Sequence, residues 1–146
     1  MRVAALLLAL TSAVCWGVGG ILIKKGTNVV SPATILIFQY ALGVLIIGTW
    51  LAARRDVGES LEALSRRWPL ILALALLQIG GYVAFVVAVN LAGGGGVPTT
   101  TIVAIAATYP ALVAVLSGPV LGESLQWNDA VGVALIISGV IVTQAL

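Results

Sequence analysis

The sequence predicts an all-α integral membrane protein, a bundle of five transmembrane helices. Hydrophobic residues make up 61% of the chain and charged residues 8%, whereas a soluble domain carries about 25% charged residues. The apolar residues also fall into long runs, and roughly 20 consecutive apolar residues cross the hydrocarbon core as a helix. Because lipid offers no water to unpaired backbone groups, such runs are expected to be helical.

Five runs meet this length. The predicted helices cover residues 3–23, 33–53, 70–91, 97–121 and 128–146, and they form a single transmembrane domain of residues 1–146. Between the second and the third, residues 60–64 are expected to form a short surface helix with Leu61 and Leu64 at the membrane interface. The first run resembles a signal peptide at its start. It continues to Ile23, however, beyond the length of a signal-peptide core, so we expect a retained helix.

The first predicted helix carries Trp16, Gly17 and Gly20 on one side, with Lys24 two turns after Trp16. We expect Lys24 and Lys25 to be anchors whose charges reach the membrane surface, while the glycines permit close helix packing. The alternative, that Lys24 turns inward as a charge in a cavity, stays open.

The second and third predicted helices carry polar side chains near their centres. Gln39 and Tyr40 lie in the second, and Gln78 and Tyr82 lie one turn apart in the third. Polar groups are costly in lipid and usually face the bundle interior or a cavity. We therefore predict that these four residues line a substrate-binding cavity.

The fourth predicted helix adds Thr101 and Thr108, seven residues apart, to this predicted cavity. Pro110 has no backbone N–H, so it should kink the helix near Thr108 and Tyr109. Interrupted helices often line transporter cavities, and many kinks are purely structural, so both interpretations stay open. The fifth predicted helix carries small residues at four-residue spacing, which permit close contact with another helix.

The distribution of basic residues predicts an orientation. With five spans the termini lie on opposite sides, and the side of the N-terminus holds five basic residues against two, namely Arg2, Arg54, Arg55, Arg66 and Arg67 against Lys24 and Lys25. The positive-inside rule then places the N-terminus in the cytoplasm and the C-terminus outside. A net charge of +2 is too small to indicate a nucleic-acid partner.

The inventory of reactive side chains argues against an enzyme. The chain has no histidine and one cysteine, Cys15, and its carboxylates lie outside the centres of the predicted helices. Neither a metal-ligand cluster nor a nucleophile–base pair can be assembled from this set. We expect no catalytic residues, no metal and no cofactor.

Several short motifs occur in a characteristic order along the chain. They are Trp16-Gly17, Lys24, Tyr82, Phe85, Tyr109-Pro110, Leu121-Gly122-Glu123-Ser124-Leu125 and the segment from Gly132 to Val140. In this order and spacing the chain resembles one EamA-type half of the drug/metabolite transporter superfamily, over almost its whole length.

The resemblance implies more than periodicity does. Typical members have ten helices in two inverted five-helix repeats and move small metabolites by alternating access, and this chain resembles one repeat. A homodimer is implied, with an antiparallel pair preferred, or else an oppositely inserted partner subunit. The Leu-Gly-Glu segment, which includes Glu123, closes the cytoplasmic end of the fourth helix in the family.

Two departures from the family pattern bear on the substrate. Gln39 stands before Tyr40 where the family often has an arginine, and the first helix lacks the glutamate of the small multidrug exporters. A neutral or anionic metabolite therefore fits better than a cationic drug. The predicted function is a secondary-type small-molecule transporter of the inner (plasma) membrane; a lipid-linked sugar flippase and a non-transporting subunit of a larger complex are the alternatives.

Overall fold

A computed structural model describes residues 2–54, 57–92, 96–124 and 126–145. Its regular secondary structure over these ranges is helical, as predicted. The helices are α1 (Arg2–Thr27), α2 (Pro32–Arg54), α3 (Val57–Leu91), α4 (Thr99–Ala106), α5 (Tyr109–Leu121) and α6 (Trp127–Ala145). Three residues used in the predictions above, Arg55, Leu125 and Leu146, lie outside the described ranges.

Four helical segments are long and apolar enough to cross a membrane. They are Val3–Thr27, Pro32–Arg54, Val57–Leu91 and Thr99–Leu121, the last of which joins α4 and α5. The apolar part of α6, Trp127–Thr143, is shorter. The described residues thus confirm a helical membrane protein with four candidate spans, and the fifth predicted span stays a prediction.

The chain divides into two compact units. The first, Met1–Asn90, holds α1, α2 and nearly all of α3; the second, Leu91–Leu146, holds α4, α5 and α6. Within the first unit α1 packs against α2, and within the second α6 packs against both α4 and α5. Many large apolar side chains are exposed in both units, as expected of helices that face lipid rather than water.

The connection between α1 and α2 is shorter than predicted. Helix α1 continues to Thr27, so both lysines lie in its last turn rather than in a loop. Helix α2 begins at Pro32, where a missing N–H costs nothing. Ser31 caps this helix, because its Oγ accepts a hydrogen bond from the Thr34 N–H at 3.2 Å.

Helix α3 starts much earlier than the predicted residue 70. It begins at Val57 and runs for 35 residues, with one interruption at Arg67, whose φ of −123° and ψ of 20° are not helical. Pro69 follows two residues later, in the first turn of the membrane-spanning part. The segment before Arg67 is therefore a separate short helix.

The predicted kink before Pro110 is confirmed as a break between α4 and α5. Helix α4 ends at Ala106 and α5 begins at Tyr109. Ala107 and Thr108 form a turn between them, in which the Thr108 N–H donates to the Ile105 carbonyl at 3.0 Å. Thr101 therefore lies in α4 and Thr108 in the turn that follows it, at the position where the kink was predicted.

A tight connection joins α5 to α6. Gly122 ends α5 in the left-handed conformation, with φ of 71°, and its N–H donates to the Gly118 carbonyl at 3.0 Å. This conformation favours glycine because it lacks a Cβ. At the start of α6, Asp129 Oδ2 accepts the Gln126 N–H at 3.1 Å and thereby caps the helix.

Candidate functional site

Tyr82 is the centre of the polar site in the first unit. Its hydroxyl on α3 donates a hydrogen bond to Gln39 Oε1 on α2, at 2.8 Å. This bond joins two of the residues that the sequence singled out and explains how each polar group is satisfied among apolar neighbours. It also fixes which end of the Gln39 amide faces Tyr82, so the NH₂ group points elsewhere.

Aromatic rings surround Tyr82 on several sides. Its ring centroid lies 5.9 Å from that of Trp16 and 6.0 Å from that of Tyr40, both at an interplanar angle of 85°. Phe85 lies 6.4 Å from Tyr82 at 25°, and 6.3 Å from Trp16. The edge-to-face geometry is the one that aromatic pairs prefer. We call Trp16, Gln39, Tyr40, Tyr82 and Phe85 the Tyr82 cluster.

Each helix of the first unit contributes to the Tyr82 cluster. The adjacent pair Gln39 and Tyr40 comes from α2, Tyr82 and Phe85 lie three residues apart on one face of α3, and Trp16 comes from α1. The cluster is only partly covered, because Trp16 is 61% and Tyr40 37% exposed. A polar and aromatic surface thus remains accessible on one side of this unit.

Lys24 occupies a different environment from Lys25. Its side chain is half-buried, and Nζ donates to the Val89 carbonyl at 3.3 Å. Val89 belongs to the last turn of α3, where carbonyls lack helical partners and a cation is favourable. The Lys24 ammonium thus caps the end of α3, and its role as a surface anchor or as a charge in a cavity stays a prediction. Lys25 is exposed.

Gln78 is not drawn into the Tyr82 cluster. It lies one turn before Tyr82 on α3 and is exposed. None of the hydrogen bonds described for the first unit joins Gln78 to the cluster. Its predicted role in substrate binding stays a prediction.

The remaining predicted residues belong to the second unit. Thr101 is buried, with 7% of its surface exposed, and the Thr108 hydroxyl donates to the Ile105 carbonyl at 2.7 Å, within its own turn. Pro110 lies at the start of α5, and Glu123 is exposed just after Gly122. Their predicted part in a cavity shared with the Tyr82 cluster stays a prediction.

The second unit has a shallow groove of about 350 Å³ between α5 and α6. Pro110 and Ala114 form part of its α5 wall, and Gly132 and Ile136 part of its α6 wall. The polar lining residues are Ser117, Ser124, Asn128 and Asp129. Of the lining residues, only Pro110 had been predicted as functional, because the polar ones lie toward helix ends, where polar groups are common, and the others are small or apolar.

The sequence-based list of site residues also left out Phe85. It belongs to the Tyr82 cluster through its ring contacts with Trp16 and Tyr82. Its position three residues after Tyr82 was the available signal. Phe85 was left off the list because it is apolar, and the argument from the cost of polar groups in lipid does not select an apolar residue.

The side chains of the Tyr82 cluster offer both hydrogen-bonding groups and flat apolar surfaces. The indole N–H of Trp16, the NH₂ of Gln39 and the hydroxyl of Tyr40 can donate hydrogen bonds, and the rings offer flat apolar surfaces. These side chains include no nucleophile beside a base. Their chemistry is compatible with contact to an uncharged or hydrogen-bond-accepting molecule.

Comparison with known proteins identifies the family. The model of the EamA-like transporter family matches residues 3–144. The chain is 28% identical over 137 residues to proteins named "Uncharacterized inner membrane transporter YhbE" from Escherichia coli strain K12 and from Shigella flexneri. The match covers 93% of this chain and 41% of each relative, so the chain spans about two fifths of their length.

No solved structure matches the chain significantly. The family match nevertheless extends over nearly the whole sequence and covers the six described helices except for the first residue of α1 and the last of α6. Its members are membrane transporters, in agreement with the four long apolar helices. The chain belongs to the EamA-like transporter family.

Proposed function

We propose that this chain is a secondary-type transporter of a small metabolite, acting in the inner membrane, with the Tyr82 cluster in its substrate path. The family assignment and the name of the relatives as inner membrane transporters support this function. The single observation that carries the location of the site is the hydrogen bond from Tyr82 to Gln39 within a partly exposed set of aromatic rings.

The physical reason is the cost of polar groups in a membrane. Tyr82, Gln39 and Tyr40 lie within helices that are otherwise strongly apolar, and such residues usually face a cavity or a partner. One hydrogen bond satisfies part of the Gln39 amide and leaves its NH₂ as a donor. A substrate with an accepting oxygen and a flat apolar portion would complete the site.

The charges favour a neutral or anionic substrate. Of the described carboxylates, Glu59 and Glu62 lie before the kink of α3, Glu123 lies between α5 and α6, and Asp129 lies in the first turn of α6. None of these is in the middle of an apolar span. The half-buried Lys24 adds positive charge near the end of α1, which favours an anionic group over a cationic one.

Transport by alternating access needs a second helical unit to enclose the substrate. The exposed Trp16 and Tyr40 give the Tyr82 cluster an open side on which such a unit could pack. We propose a homodimer, with the antiparallel arrangement preferred, because inverted units can exchange their roles as the site opens to either side. An oppositely inserted partner subunit would serve equally.

In this proposal Gln78, Thr101 and Thr108 also contact substrate during the cycle. Pro110 interrupts the fourth span and leaves the Ala106 carbonyl without its usual helical donor. Glu123 follows the end of α5 by two residues and is proposed to help close that end of the span. The distribution of basic residues favours a cytoplasmic N-terminus. An antiparallel homodimer therefore requires that a second copy inserts in the opposite orientation.

The test is transport by the purified full chain in proteoliposomes. Vesicles would be loaded with a defined mixture of amino acids, monosaccharides, nucleosides and monocarboxylates, and efflux would be followed by mass spectrometry. We expect the wild type to release a subset of the mixture. Tyr82→Leu and Gln39→Leu should each slow that release at least about tenfold, since each removes a group proposed to position the substrate.

Phe38→Leu is the matched control. Phe38 is adjacent to Gln39 on α2 and is 73% exposed, and it takes no part in the ring contacts described for the cluster. It should leave efflux unchanged. Unaltered efflux in the Tyr82→Leu variant would refute the location of the site, and no efflux of any compound from wild-type vesicles would count against the transport activity itself.

A further inference from the structure

Helix α3 is too long to be a single straight span. Its 35 residues would extend about 52 Å as a regular helix, whereas the hydrocarbon core is about 30 Å thick. Residues 68–91 alone extend about 36 Å, enough to cross. The residues before them must therefore lie outside the hydrocarbon core.

The backbone bends where this excess begins. Arg67 leaves the helical conformation, with φ of −123° and ψ of 20°, so the preceding segment need not follow the axis of the span. We call residues 57–66 the surface helix. Its charged side chains, among them Glu59, Glu62 and Arg66, would be costly within the hydrocarbon core.

The surface helix has two distinct faces. Val57, Leu61 and Leu64 are spaced by four and three residues and form an apolar stripe, 43%, 60% and 44% exposed respectively. Glu59 and Glu62 lie on the opposite face. There Glu62 Oε1 pairs with an Arg66 guanidinium nitrogen at 2.6 Å, so the charged face is suited to water.

Both ends of the surface helix are attached to membrane spans. Helix α2 ends at Arg54, three positions before Val57, and Arg67 leads directly into the membrane-spanning part of α3. At both boundaries an arginine accompanies a tryptophan. Arg54 stacks over the Trp50 ring at 4.6 Å, and Arg67 precedes Trp68, which is 58% exposed. Tryptophan and arginine are the usual residues of the membrane interface.

We propose that the surface helix binds the lipid bilayer itself, with Val57, Leu61 and Leu64 inserted at the boundary between headgroups and acyl chains of an anionic leaflet. Its two attachments keep it beside the membrane, so lipid is the apolar partner always within reach. Arg54 and Arg67 flank it and contact lipid phosphates. This proposed role of the surface helix does not depend on the role of the Tyr82 cluster.

The test uses the full chain with Cys15→Ser, into which single cysteines are introduced for nitroxide labels. Leu61→Cys reports on the stripe, and Glu59→Cys is the matched control on the opposite face. The protein is reconstituted in vesicles of equimolar phosphatidylcholine and phosphatidylglycerol. Accessibility to oxygen, which concentrates in lipid, is compared with accessibility to a water-soluble nickel complex by electron paramagnetic resonance.

We expect the label at position 61 to favour oxygen severalfold over the label at 59. Equal ratios at the two positions, or full accessibility of position 61 to nickel, would overturn the proposal. Leu64→Cys supplies a second stripe position should Leu61→Cys fail to insert. The readout needs no substrate, so its failure is separable from a failure of the transport assay.

A second comparison tests whether the surface helix requires anionic lipid. In vesicles of phosphatidylcholine alone, the label at position 61 should become more accessible to nickel, because lipid surface charge attracts nearby basic residues. Combining Arg67→Gln with Leu61→Cys should reduce the difference in nickel accessibility between the two kinds of vesicle. Identical accessibility in the two kinds of vesicle would refute the contact between the arginines and anionic headgroups.

Discussion

The Tyr82→Phe substitution isolates the hydrogen bond that joins α2 to α3. It removes the hydroxyl that donates to Gln39 at 2.8 Å and keeps the ring that contacts Trp16, Tyr40 and Phe85. Net hydrogen-bond contributions are about 0.5–1.5 kcal/mol in proteins and average about 0.6 kcal/mol in membrane double-mutant cycles. We therefore expect the free energy of unfolding to fall by about 0.5–1.5 kcal/mol.

Tyr82→Leu should cost more because it also removes the ring. Three ring pairs are lost, each worth about 0.5–1.5 kcal/mol beyond area burial. Contacts that share one residue are not additive, so the combined loss is expected to be about 2–5 kcal/mol. The two substitutions together separate the hydroxyl from the aromatic packing.

The assay is reversible unfolding in mixed micelles by increasing the fraction of sodium dodecyl sulfate, followed by far-ultraviolet circular dichroism. A double-mutant cycle of Tyr82→Phe with Gln39→Leu gives the coupling energy of the pair. We expect coupling of about 0.5–1.5 kcal/mol. Coupling near zero, or equal losses for Tyr82→Phe and Tyr82→Leu, would refute this account of the cluster.

Three further predictions concern helix ends and topology. Gly122→Ala should destabilise by about 1 kcal/mol, because its φ of 71° is unfavourable for a residue with a Cβ. Nothing lies within 4 Å of the added Cβ, so no steric clash adds to this cost. Gly139→Ala, in the middle of α6, should not destabilise, and the unfolding assay described above measures both variants. Lys24→Gln should lower stability by about 1 kcal/mol through loss of its bond to an α3 carbonyl, whereas Lys25→Gln should change it little. Two reporters, one active only inside the cell and one only outside, can each be fused to the C-terminus. Both should give signal if the chain inserts in both orientations, as an antiparallel homodimer requires. Signal from the outside reporter alone would contradict that dimer.

Helix positions could be predicted from the sequence because apolar length is a property of the chain itself. The break at Thr108 was equally predictable, since proline cannot donate to the preceding turn. The early start of α3 was harder to place. Residues 60–64 indicate a short surface helix by themselves, but their charged residues interrupt the apolar pattern, so the sequence did not show that this helix begins at Val57 and joins the third span.

The candidate site was predictable only in part. Gln39, Tyr40 and Tyr82 were singled out because polar groups within apolar helices are costly and therefore informative. Nothing in their spacing, however, indicated that Tyr82 would donate to Gln39. The spacing of Phe85 placed it on the same side of α3 as Tyr82 but did not show its contact with Trp16. Such contacts depend on the rotation of each helix about its axis, which side-chain packing between helices sets.

The sequence by itself determined that this protein is helical, that it spans a membrane and that its family is EamA-like, because these follow from composition, run length and motif order. Only the tertiary structure decided that Lys24 caps α3 and that Tyr82 and Gln39 are partners. The physical reason is that apolar length is additive along the chain. A hydrogen bond between helices requires two side chains, distant in sequence, to approach within about 3 Å.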